Sequence, residues 1–168
     1  MTSTFRAIQF FALGTWVGSI LYFTAIVAPG AFRTIANQDE AGALIAYTLG
    51  RLHIAGIALG LVYLLAALVV SRSAGSLAKP ASLLVFLMIA LTAISQFRVI
   101  AKMEILRLEA GSIFANPPDS PIRLAFDRLH AFSVWLEGIV VIAGVMALYL
   151  TARSAKPAAA TPAAPAVE

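Results

Sequence analysis

The sequence predicts an all-α integral membrane protein of four transmembrane helices. Two observations carry this. Of 168 residues, 61% are hydrophobic and only 12% are charged, whereas soluble domains are nearer half apolar and a quarter charged. A chain this short buries only part of its surface on folding, so lipid has to cover the rest. The apolar residues also fall into four runs, each close to the 17–25 residues that a bilayer crossing needs. The expected transmembrane domain is residues 1–153, with spans at about 5–28, 53–71, 80–98 and 129–151.

The first span follows Arg6. Its apolar run is too long for the core of a cleaved signal peptide, so it reads as a retained anchor. Pro29-Gly30, a helix-ending pair, is expected to close it. The second span is preceded by Asn37 and Glu40, the spacing of a capping box, and reads as continuous helix from there. Ser71 to Lys79 is a short polar link, and Pro80 stands at a first helical turn. The third helix is expected to run through Arg98 to Ala110 and stop at Gly111. Ser120-Pro121 is a cap followed by Pro at the first helical position, opening the fourth helix. Helices should therefore project beyond the bilayer on the face of the long connections. Residues 154–168 are mostly Ala and Pro, with little to bury, and read as a disordered tail.

The halves look alike. Arg51-Leu52-His53 precedes the second span and Arg128-Leu129-His130 the fourth; Phe32-Arg33 follows the first and Phe97-Arg98 the third. A parallel two-plus-two internal repeat is the implied arrangement, with a pseudo-two-fold axis along the membrane normal. It would set the two histidines at the same membrane level.

No cysteine is present, which removes disulfides and thiolate metal sites. No zinc-finger spacing, phosphate loop or dense basic stripe appears, so nucleic acid is not an expected partner. Membrane lipids are, and a homo-oligomer is compatible. Glu137 lies seven residues into the fourth span, where a charged carboxylate costs about 2.5–3.5 kcal/mol by insertion scales. It is expected to face the bundle, either as a proton or cation site or as a neutral hydrogen-bonding group. Ser133 and His130 share its helix face, and Gln96 of the third span is a further polar candidate. His53 and His130 are the candidates for axial haem or transition-metal ligation; bonding to a nearby carbonyl is the alternative. Arg33, Arg51, Arg98 and Arg128 cluster at one membrane face, suited to anions or lipid headgroups, to pairing with Asp127, Glu104 and Glu109, or to simple snorkelling. The pairs Gly14/Gly18 and Gly56/Gly60 have small-xxx-small spacing and should pack the bundle internally.

Phe126-Asp127-Arg128-Leu129-His130-Ala131-Phe132-Ser133, together with the Gly18 span leading to Phe32-Arg33, resembles the transmembrane protein 205-like domain family. The resemblance covers about residues 5–150. It implies a compact four-span protein without an established activity, and supplies no catalytic residues. A more distant similarity to copper-resistance-D-like proteins and to haem-binding membrane oxidases of porphyrin synthesis keeps the haem and metal readings open. The expected function is that of a non-enzymatic polytopic membrane protein. The alternatives are a proton- or cation-coupled transporter using Glu137, and a haem or metal redox protein using His53 and His130. The long connections hold seven bases and six acids, and counting bases alone favours them as cytoplasmic. The bases concentrated in short segments beside the spans (Arg6, Arg72, Lys79, Arg153 and Lys156) favour the opposite, and the expectation is both termini in the cytoplasm of a bacterial inner membrane.

Overall fold

The structure, a computed structural model, describes residues 2–154. The tail expected to be disordered lies outside these apart from Ser154. Four helices dominate: α1 (Ser3–Thr34), α2 (Gln38–Ser71), α3 (Pro80–Ala110) and α4 (Pro121–Arg153). All four are long and apolar enough to cross a membrane, and the chain is a multi-pass helical membrane protein. At 31–34 residues and about 1.5 Å per residue, each is about 46–51 Å long. The hydrocarbon core takes up only about 30 Å of that. The polar ends of α2, α3 and α4 lie on the face of the long connections.

The start and stop signals act largely as read. Asn37 Oδ1 accepts from the amides of Asp39 at 2.9 Å and Glu40 at 3.4 Å, opening α2. Glu40 returns to the Asn37 side-chain amide rather than to its backbone, at 3.3 Å. Ser120 Oγ accepts from Arg123 N at 3.4 Å, with Pro121 at the first position of α4. Gly111, at φ +67, ends α3.

Pro29 does not end α1. The helix continues to Thr34 because Phe23–Val27 widens into a π-helical turn, with Ala28 N donating to Phe23 O. A proline ring collides with the carbonyl four residues back, here Ala25, and lacks the N–H that would bond it. The wider turn relieves both. A second π-helical turn, Ser95–Ile100, lies within α3.

The helices form a ring in chain order. α1 packs most extensively on α2 and α3 on α4, and the α2–α3 and α1–α4 contacts close it. The α2 and α4 backbones sit diagonally across the ring. The core is Leu13, Trp16, Ile20, Tyr63, Val85, Met88, Val140 and Ala147. Exposed Phe11, Leu65, Trp135 and Ile142 face outward, where lipid would lie.

Gly56 and Gly60 face inward as expected, and the space beside them holds the Trp16 indole. A Cβ on Gly56 would lie 2.1 Å from Trp16 Nε1, and one on Gly60 2.8 Å from Trp16 Cζ3 and from Ile89 Cγ1. Gly14 and Gly18 depart from expectation. Nothing lies within 4 Å of where their Cβ atoms would be, and they line an open outer groove with Tyr22 and Thr48.

On the projecting face, the 111–120 connection is pinned to α2. Ser112 Oγ donates to Asp39 Oδ2 at 2.5 Å and Ile113 N to Asp39 Oδ1 at 3.0 Å. Burial alone would raise the Asp39 pKa. The hydrogen bonds from Ser112, Ile113 and Phe114 and the Arg107 charge outweigh it, and hold the carboxyl below its ordinary value.

Candidate functional site

α2, α3 and α4 each contribute one side chain to a polar cluster between the helices: His53, Gln96 and Glu137. His53 is 1% exposed and Glu137 7%. His53 Nδ1 lies 2.9 Å from Gln96 Oε1 of α3, and His53 Nε2 lies 2.5 Å from Glu137 Oε1 of α4. Gln96 falls in the second π-helical turn of α3. Such turns recur at functional sites because they re-aim side chains that a regular helix would point elsewhere.

Proton counting defines the chemistry. An amide oxygen only accepts, so Nδ1 carries a hydrogen and donates to Gln96. The 2.5 Å contact on the other ring nitrogen then needs one further proton. Either a protonated Glu137 donates to a neutral imidazole, or an imidazolium donates to a carboxylate. The pair is neutral overall in both forms, which removes most of the penalty that an isolated buried carboxylate would face. Glu137 Oε2 is buried and has no hydrogen-bond partner among the described residues; the same holds for Ser95 Oγ and Thr92 Oγ1. The carboxyl therefore has one oxygen engaged and one open.

The other candidates lie elsewhere. Ser133 is buried, but its hydroxyl donates to His130 O at 2.8 Å within its own helix and not to Glu137. His130 is exposed and takes no part in the cluster. The two histidines do not face each other: His53 has both ring nitrogens engaged inside the bundle while His130 looks outward. Among the described residues, no three His, Asp or Glu side chains gather closely enough to hold a metal ion.

The two bonds that cross the bundle between α2 and α4 join residues 84 and 88 apart in sequence, His53 to Glu137 and Tyr63 to Thr151. The Arg-Leu-His match of the halves is 77 apart. At about 1.5 Å per residue, His53 stands about 10 Å deeper than the repeat would place it. This is why it meets Glu137 and not His130.

Arg33, Arg51, Arg98 and Arg128 are all exposed. Arg51 stacks over the Tyr47 ring at 5.2 Å. Two of the three acids expected to pair with these arginines bond others instead: Glu104 bonds Arg107 at 2.5 Å and Asp127 bonds Arg123 at 3.0 Å. Three and four residues apart on one helix, these partners are simply nearer.

The Tyr63–Thr151 contact, 2.7 Å and buried, is a feature that sequence reasoning missed. Thr151 Oγ1 donates to Ala147 O at 2.7 Å, so the tyrosine hydroxyl is the donor between the two. A tyrosine and a threonine in apolar spans look like ordinary packing residues until the helices are placed.

Fold and site together define a four-span membrane protein with a buried, hydrogen-bonded His–Glu pair between its helices. Residues 11–112 match the family described as a domain of unknown function (DUF4149), and the chain belongs to that family. The match takes in His53 and Gln96; Glu137 lies beyond it. No curated protein and no solved structure matches significantly.

Proposed function

We propose that this protein is a non-enzymatic, proton-coupled carrier in which the His53–Glu137 pair takes up and releases the coupling proton. The observation supporting this is the 2.5 Å Nε2···Oε1 contact with Gln96 fixing the other ring nitrogen. That arrangement holds one proton between two groups that can each own it, beside an unpartnered carboxyl oxygen. Ionisable groups inside a membrane bundle commonly mark proton or ion paths. The reading includes kinship with the transmembrane protein 205-like proteins through the Phe126–Ser133 motif. It also includes a bacterial inner-membrane location with both termini cytoplasmic, on the strength of the bases in the short segments.

The test is proton flux into proteoliposomes carrying a pH-sensitive dye, driven by an imposed potential. Glu137→Gln is the decisive variant, because a glutamine amide can still donate to a neutral His53 Nε2 and keep the bundle together. The expected result is flux in the wild type, none in Glu137→Gln, and similar melting temperatures. Wild-type flux no greater than that of empty vesicles, or equal flux in the variant, overturns the proposal. A purely structural clasp would leave the two proteins alike.

A further inference from the structure

At the membrane face opposite the long connections, all four helices contribute to a cavity of about 490 Å³. Arg6 of α1, Lys79 just before α3 and Arg153 of α4 stand at its walls. None of the three has an acidic partner among the described residues, whose ion pairs all lie elsewhere. Further in, Gln9 lines the cavity at 7% exposure. Its side-chain amide makes no hydrogen bond with a described residue and keeps access to the cavity. The Tyr63–Thr151 pair lines the same space.

We propose that this cavity binds a phosphate-bearing anion at the membrane interface, with a phospholipid headgroup as the occupant. Three cations without an acidic partner among the described residues supply charge-assisted hydrogen bonds to phosphate oxygens, and the Gln9 amide supplies a neutral donor deeper in. Lys79 and Arg153 are exposed, but all three cations border one cavity, so a single anion can engage them together. An anion held by α1, α3 and α4 together would tie those helix ends to one another.

The experiment follows thermal unfolding of the purified full chain in phosphatidylcholine-containing micelles, with phosphatidylglycerol or inorganic phosphate titrated in. The expected result is a saturable rise in melting temperature with phosphatidylglycerol and none with further phosphatidylcholine. The Arg6→Gln/Lys79→Gln double variant should need roughly thirtyfold more phosphatidylglycerol for the same rise. Gln9→Leu leaves the net charge unchanged and should also weaken the response, which general attraction to an anionic surface would not produce. Arg33→Gln/Arg128→Gln, on the opposite face, should behave as wild type. A saturable rise with inorganic phosphate, lost in the same double variant, supports the anion site and identifies free phosphate as sufficient. Native mass spectrometry of co-purifying phosphatidylglycerol supplies the comparison if a variant unfolds too early to titrate. Equal responses to the two lipids, or wild-type responses in both cavity variants, overturn the proposal.

Discussion

Adding a single methyl group at Gly56 should damage the bundle more than its size suggests. The new Cβ would stand 2.1, 2.5 and 2.7 Å from Trp16 Nε1, Cε2 and Cδ1. Carbon atoms attract best at about 3.5–4.0 Å, so the ring would have to retreat by roughly 1 Å or more. An indole is rigid, and Trp16 is 1% exposed within the core, so the displacement passes to its neighbours. Overpacking of this kind costs about 1–3 kcal/mol, and a rigid neighbour on a close helix argues for the upper end. For a chain of this size, about 3 kcal/mol corresponds to about 6–12 °C in Tm. The assay is thermal unfolding in a fixed detergent of wild type, Gly56→Ala and Gly14→Ala. Gly14 is the control, because a Cβ there meets nothing within 4 Å. The Gly56→Ala/Trp16→Leu double variant should lose less than the sum of the two single changes, since the smaller side chain frees the space. Unchanged melting of Gly56→Ala, or strict additivity with Trp16→Leu, would refute the packing argument.

Thr151→Val keeps the shape but leaves the Tyr63 hydroxyl without its acceptor. It should lower stability by about 1–2 kcal/mol in the same melt, and unchanged or raised stability would count against the donor assignment. The Asp39 clasp should depend on pH. Its carboxyl is held below the ordinary 3.8, so its contribution is complete above that value and is lost as the pH falls through the lower, folded-state value. Protection of the Ile113 amide from hydrogen exchange should therefore drop at strongly acidic pH in the wild type but not in Asp39→Asn. Identical pH profiles would contradict the assignment.

The parts of this fold that local chemistry decides are readable from the chain. Asn37, Ser120 and Gly111 mark helix ends through bonds or backbone angles that their own side chains favour. The apolar runs report the spans because lipid rewards nothing else. Glu137, His53 and Gln96 stand out individually as polar residues in apolar helices. Their meeting does not stand out, since it depends on how far each helix slides against the next. That slide is set by contacts such as the Trp16 ring seated on Gly56 and Gly60, between residues some forty positions apart. Pro29 shows a further limit. Its usual meaning as a stop holds for a regular helix, and a wider turn beneath it cancels the collision behind that meaning.

The π-helical turn at Ser95–Ile100 makes the α3 strip facing α2 and α4 sensitive to length rather than only to composition. One residue of an ordinary helix turns the chain by about 100°, and a wide turn absorbs roughly one residue without passing that rotation on. Thr92 before it and Val99 near its end are both buried, and Gln96 between them reaches His53. Deleting Phe97, an outward-facing residue whose loss removes little core contact, would return the segment to regular winding and swing one of those two residues toward lipid. A frame shift of one residue there would thus be felt at His53, although no atom touching it had been changed.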